Sequence, residues 1–223
     1  MKKSFVLLLA MICVSGAIAQ TTLPTEVANT STFKAGDTLT YHFYNSIEDA
    51  KVGNNKKFGV PMAAKELREN GDIYFHVNNN PNNFRVFDKN GNMLLSKTPN
   101  RDEVKFQHVK PILKYPLRIG DTWENEVVHD PFESDKDRKV FNCKGTSQVI
   151  GWETITVPAG TFTALRIDVN ETCIILPARY QAKNERKYWI SPEAKMHPVL
   201  YQFKQTWQGG SAESISSLTS FNF

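Results

Sequence analysis

Apolar and polar residues alternate along most of this chain, and a period of two commits a chain to half-buried β-strands. The stretch GWETITVPAGTFTALRI, residues 151–167, shows the pattern most clearly, with Pro158, Ala159 and Gly160 between two alternating arms. GDTLTYHFY at 36–44 sets Leu39, Tyr41 and Phe43 against Thr38, Thr40 and His42. PVLYQFKQTW at 198–207 sets Val199, Tyr201, Phe203 and Trp207 against Gln202, Lys204 and Thr206. Similar runs at 72–77, 84–96, 104–109, 121–128, 138–145, 168–176, 184–190 and 212–223 bring the total to about ten strands joined by short connections. Helical signal is confined to MAAKELREN (62–70), which predicts at most one short helix, while SIEDAKVGNNKKFGVP (46–61) reads as a loop. The expected fold is therefore mostly β and antiparallel: a strongly curved sheet, as a half-barrel or a sandwich.

The ends bound the compartment. MKKSFVLLLAMICVSGAIAQ has a basic start at Lys2 and Lys3, a short apolar run and a small-x-small site at Ala17–Ala19. Residues 1–19 read as a secretory signal cleaved after Ala19, residues 20–31 as a flexible lead-in, and 32–223 as a single β-rich domain. The apolar run is shorter than the roughly 20 residues of a membrane span, so no transmembrane helix is expected. A lipoprotein signal would place a small residue before Cys13, where Ile12 stands. Periplasm or secretion is the expected localisation. The formal charge of +4 owes two units to the signal itself, and without a Lys/Arg-rich run no nucleic-acid surface is expected.

Cleavage leaves Cys143 and Cys173, an even pair in an oxidising compartment, and a disulfide is expected between them. With Val157 set opposite Thr161, the hairpin ladder places Ile155 opposite Thr163, Glu153 opposite Leu165 and Trp152 opposite Arg166. Val157, Ile155, Leu165 and Ile167 then form a core face, and Phe162 and Ala164 fall on the other. Followed down both arms, that register sets Cys143 opposite Ile175, and bulges at Gly145 and Gly151 would return the partner to Cys173. Trp152, Pro158, Gly160, Phe162 and Arg166 are the structural residues of this hairpin, with Arg166 expected over the Trp152 indole.

Motifs that carry chemistry are sparse. There is no glycine-rich phosphate loop, no His-Glu-x-x-His helix and no nucleophile elbow, since GGSAES at 209–214 lacks the second glycine. The five histidines lie far apart, none at ligand spacing with a cysteine, so neither a metal nor a cofactor is expected. Asp88, Asn90 and Asn92 imitate a calcium loop, but Gly91 comes fourth where an EF-hand has glycine sixth, and the segment reads as a hairpin turn. HDPFESDKDRK (129–139) and the strand around Glu185 are the places where acid–base chemistry, and with it a hydrolase, could be sought. Trp123, Trp189, Tyr201, Phe203 and Trp207 are the candidate aromatics for lining a ligand cavity, with core filling as their ordinary role. Gly-Asp-Thr occurs twice, at 36–38 and 120–122, as one turn used at two strand starts or as the trace of two similar halves.

Three passages, YPLRIGDTWENEV, GWETITVPAGTFTALRI and ERKYWISPEAKMHPVLY, together resemble the TapB-like and related domain-of-unknown-function families of secreted bacterial proteins and lipoproteins. The resemblance covers Tyr115 to Tyr201 and departs at Lys195-Met196, where the family usually has a glycine. It implies a β-rich envelope protein and carries no catalytic residues. The combined expectation is an exported, non-enzymatic protein that binds a lipid-like apolar ligand or an envelope protein partner. A hydrolase of unknown substrate is the alternative. A small outer-membrane β-barrel, suggested by the terminal Phe223, is the lesser one; the charge on DTWENEVV and NERKYWI opposes it.

Overall fold

The computed structural model describes residues 23–28, 33–101, 103–130, 140–176 and 180–223. Among these described residues fourteen strands are defined in chain order. They are β1 (Glu26–Val27), β2 (Thr38–Tyr44), β3 (Gly59–Leu67), β4 (Ile73–Val77), β5 (Asn80–Phe87), β6 (Met93–Lys97), β7 (Val104–Lys110) and β8 (Leu117–Arg118), followed by β9 (Thr122–Asp130), β10 (Val140–Val157), β11 (Gly160–Leu176), β12 (Tyr180–Ser191), β13 (His197–Trp207) and β14 (Gly210–Asn222). β1 and β8 pair as a small separate ribbon, and the other strands form one antiparallel sheet. That sheet closes: β14 pairs with β2, β7 with β9, and β9 with β10, giving a barrel of twelve strands. The mostly antiparallel, curved β architecture matches the period-two pattern, and closure takes the curvature further than a half-barrel or sandwich.

The helix lies elsewhere than propensity places it. Residues 59–67, including MAAKEL, are strand β3, because pairing with β2 and β4 buries Met62 and Ala64, and tertiary packing overrides a weak helical preference. The α-helix, α1 (Ile47–Val52), sits inside the segment read as a loop. Ser46 caps it by accepting from the Asp49 amide at 3.0 Å, and Gly53 ends it at φ +74°. Part of the expected lead-in is also docked: Glu26–Val27 pair with Leu117–Arg118, Val27 is buried, and the Trp152 indole donates to the Pro24 carbonyl at 2.8 Å. Residues 1–22, with the expected signal and cleavage site, lie outside the described residues, as does the acidic segment 131–139.

The 151–167 hairpin is one residue tighter than the sequence reading. Val157 pairs with Gly160, Ile155 with Phe162, and Glu153 with Ala164, leaving Pro158 and Ala159 as the turn. Phe162 and Ala164 therefore join Ile155 and Val157 in the core, and the Ala159 amide rests on the Leu218 carbonyl of β14 at 3.2 Å. Leu165 and Ile167 belong to a different core cluster, around Leu117, Val149 and Val169. A single bulge at Ile150, between Val149 and Gly151, shifts the register, and the tighter turn together with this bulge brings Cys143 opposite Cys173. The two form a disulfide with Cα atoms 4.0 Å apart. Gly145 is no bulge: it pairs in register with Glu171, and its glycine identity comes from contact, because a Cβ there would lie 1.8 Å from the Asn170 carbonyl oxygen.

The two Gly-Asp-Thr motifs make one turn twice. Gly36 and Gly120 take φ +99° and +88°, conformations in which glycine meets no Cβ penalty. The amide of Asp37 donates to Lys34 and that of Asp121 to Arg118, while Ala64 and Val149 donate to the Asp37 and Asp121 carbonyls at 2.8 and 3.0 Å. A register shift follows directly in both places, at Ala64/Glu66 and at Val149/Gly151. Each motif opens one six-stranded meander, β2–β7 and β9–β14.

Gly145→Ala tests the close approach of β10 to β11. The substitution is expected to lower stability by at least about 2 kcal/mol through forced overpacking against backbone, read as a drop in the urea midpoint under non-reducing conditions.

Candidate functional site

Alternation along the closed sheet sends one face of every strand into the barrel. On β12, Asn184, Arg186 and Tyr188 point inward between the exposed Lys183 and Glu185 and the half-buried Lys187; on β13, Tyr201, Phe203 and Gln205 point inward between Gln202, Lys204 and Thr206. The inward faces enclose a lumen of about 560 Å³, within the range of small-molecule sites.

One end of the lumen is plugged by Ile112, Leu113 and Met196. The Asn92 side chain holds this plug in place: its Nδ2 donates to the Leu113 carbonyl at 3.0 Å and its Oδ1 accepts from the Leu113 amide at 2.8 Å. Asn92 is itself fixed by Asp88, whose carboxylate accepts from the Asn90 and Asn92 amides at 2.8 Å each, so the calcium-like sequence is the turn it was read as. The lumen reaches the surface at Phe58, which is 57% exposed and stacks on Phe43 with ring centroids 4.5 Å apart.

Aromatic ladders cross the wall. Phe106, His129 and Phe141 are direct cross-strand partners on β7, β9 and β10, stacked at 5.4 and 4.5 Å. Tyr188 and Tyr201 face each other across β12 and β13 at 5.0 Å. Near the plugged end, His197 sits in a box of rings, with Phe33, Phe75 and Phe87 at 4.9 to 5.5 Å. Burial without a charged partner pushes the His197 pKa down to about 4, so the imidazole is neutral at physiological pH.

The polar groups of the lining have a strong sign bias. Its charged members are Arg85 and Arg186, and among the described residues no carboxylate lines the lumen. Arg186 is answered from behind: the fully buried Glu171 carboxylate lies 3.1 Å from its Nη2, an ion pair without hydrogen-bond alignment, and the Phe203 ring lies 5.3 Å from its guanidinium. Burial works against this charge, but Tyr188, Tyr201 and Glu171 outweigh it and hold the Arg186 pKa above its ordinary value. The neighbouring Asn184 donates to Cys173 Sγ at 2.9 Å and accepts from Gln205 at 3.0 Å, tying the disulfide into the wall. Cys143, Glu171 and Cys173 cluster closely enough to suggest a metal site, but the sulfurs are bonded to each other and offer no thiolate.

The candidate aromatics separate. Tyr201 and Phe203 line the lumen. Trp123 packs against the second core cluster and donates to the Pro111 carbonyl at 3.0 Å. Trp189 is buried in the first cluster, and Trp207 lies against the turn at Gly210. Arg166 is not over Trp152. It holds Asp168 through Nε and Nη2 at 2.7 Å each and Glu153 at 3.2 Å, and its indole neighbour is Trp189, 5.7 Å away and donating to Glu153 at 2.7 Å. The one-residue change in register accounts for the exchange. Glu185 projects from the outer wall, paired across the sheet with Asn170 and Lys204, and no second acid or histidine converges on it among its ladder partners. Sequence reasoning missed Arg85, Phe43, Phe106 and Phe141, whose only signal was inward parity on their strands, and Phe58, which precedes β3; Arg186 was read as part of the charged Glu185 strand and not as lumen lining.

The sequence matches no protein-family model and no curated protein. Solved structures do share the fold. The hypothetical lipoprotein YmcC of Escherichia coli K12 superposes with a TM-score of 0.50 at 11% identity, over 84% of this chain and 89% of its own. A protein of Parabacteroides distasonis described as a lipoprotein aligns with a TM-score of 0.50 at 15% identity, over 88% of this chain and 99% of its own. A Bacteroides fragilis protein described as exported, with a YmcC-like fold, gives 0.50 at 12% identity over 88% and 100%. The architecture is thus the YmcC-like barrel, a fold found among bacterial proteins described as lipoproteins or exported proteins.

The buried His197 predicts an acid-sensitive barrel. Its folded pKa lies below the unfolded value of 6.5, so the unfolded chain takes up the proton first. Its contribution is complete above pH 6.5 and is lost as pH falls toward 4, a decline of roughly 3 kcal/mol. Urea midpoints at pH 7, 5.5 and 4.5 should fall less steeply in His197→Phe than in the unaltered protein.

Proposed function

We propose that this protein is an exported, non-enzymatic binding module of the bacterial envelope that carries an apolar ligand in its barrel lumen. The observation that carries this reading is the enclosed lumen of about 560 Å³, plugged at one end, walled by stacked aromatic rings and reaching the surface at Phe58. A volume of that size is far larger than the water-sized voids of a close-packed interior. The signal-like residues 1–19, the disulfide and the YmcC-like fold support export, and the three passages resembling TapB-like proteins agree with an envelope setting.

The outer wall supports a barrel surrounded by water. A barrel that crosses a bilayer shows lipid an apolar band about 25 Å tall. Here the outward positions of β9 to β13 include Glu124, Lys144, Lys183, Glu185 and Lys204, all exposed. No helix of the described residues is long and apolar enough to cross a membrane.

A neutral apolar dye, N-phenyl-1-naphthylamine, tests the lumen. Saturable binding with one dye per chain and enhanced emission is expected. Val60→Trp, which fills the lumen from β3, should weaken that binding at least fivefold while the folded signal in circular dichroism persists. Folded protein that binds no dye overturns the reading.

A further inference from the structure

The lumen is apolar in surface but not neutral in charge. Arg186 has Glu171 behind it, whereas Arg85 has no carboxylate within reach among the described residues. Its Nη1 donates to the carbonyls of Phe84 and Lys97 at 2.8 and 2.9 Å, which orients the guanidinium without neutralising it. Burial alone holds its pKa below the ordinary arginine value, and the group remains charged at any physiological pH. A half-buried charge without a counter-charge is one that an anion entering the lumen would stabilise. His108 adds a second unmet polar group: its Nε2 contacts the Met93 carbonyl at 2.8 Å, and its buried Nδ1 has no partner among the described residues.

Resting on the reading of the lumen as a ligand site, we propose that the ligand is a single-chain amphiphile with an anionic head, its carboxylate or phosphate held by Arg85 and its chain lying along the aromatic wall. The volume supports one chain: at about 30 Å³ per water-sized group, the lumen has room for roughly twenty such groups, an acyl chain with its head rather than a two-chain lipid. The chemistry supports the head. A planar guanidinium with two fixed donors free of backbone contacts pairs bidentately with carboxylate or phosphate. The absence of any acidic side chain from the described lining removes the repulsion that such a head would otherwise meet.

Displacement of bound N-phenyl-1-naphthylamine by dodecanoate, dodecyl phosphate and dodecanol, each below its micelle concentration, decides the matter. At least one of the two anionic compounds is expected to displace the dye at a concentration tenfold or more below that of dodecanol. Phosphate ahead of carboxylate points to a phosphorylated lipid, and the reverse order to a free fatty acid. In Arg85→Gln the ratio of anion to alcohol should fall to within about twofold, whereas Arg85→Lys and the outer-wall Lys204→Gln should keep a clear preference. Equal displacement by all three compounds in the unaltered protein overturns the proposal while leaving the apolar-lumen reading standing. A preference that survives in folded Arg85→Gln overturns the role of Arg85. Should that variant fail to fold, the unaltered protein's ratio and Arg85→Lys still decide. Failure of the dye itself to bind removes the lumen reading, and the proposal with it.

Discussion

Pairing of β9 with β10 on one side and β7 on the other closes the sheet, and the lumen exists because of that pairing. An open sheet of twelve strands would carry two edges of unpaired amides and carbonyls and would shed its inner aromatic face into water or against another molecule. Closure satisfies the backbone all the way round and leaves the interior too wide for side chains alone to fill. Phe106, His129 and Phe141 stack into a ladder across β7, β9 and β10 because these strands are locked in register. The disulfide adds a covalent tie at the same place, since Cys143 pairs with Val127 of β9 as well as with Cys173 of β11.

Much of this architecture was legible in the chain, and what was not has identifiable physical causes. Alternation located the long strands, and the cysteine pair was readable from compartment and ladder together. The hairpin register slipped by one because Pro158-Ala159-Gly160 fits a three-residue loop as well as the two-residue turn with Gly160 paired, and a slip of one exchanges every face. The same slip exchanged Trp152 for Trp189 as the neighbour of Arg166. The helix was misplaced because propensity in MAAKELREN was stronger than in IEDAKV, while the capping Ser46 and terminating Gly53 carried the better signal. Closure and inward parity are properties of the whole sheet, so Arg85 and Arg186 looked like ordinary strand charges.

The lumen combines two kinds of polar group that a sequence presents alike. Arg186 is internally balanced: Glu171, two tyrosines and the Phe203 ring surround it, and the arrangement is built into the wall. Among the described residues, Arg85 is held only by backbone carbonyls. One arginine serves the structure and the other remains available, a distinction that depends on a partner on the adjacent strand and not on either residue's neighbours in the chain.

The repeated Gly-Asp-Thr turn has its own consequence. Since each copy opens a six-stranded meander, the barrel is the intramolecular counterpart of a dimer, with β7–β9 and β14–β2 as its two subunit seams. Neither half could close alone, and each would present two bare edges that match the other's. The chain joining the halves, residues 111–121, is also the segment that plugs the lumen through Ile112 and Leu113. The covalent link that makes one protein of two halves is thereby also the floor of the cavity between them.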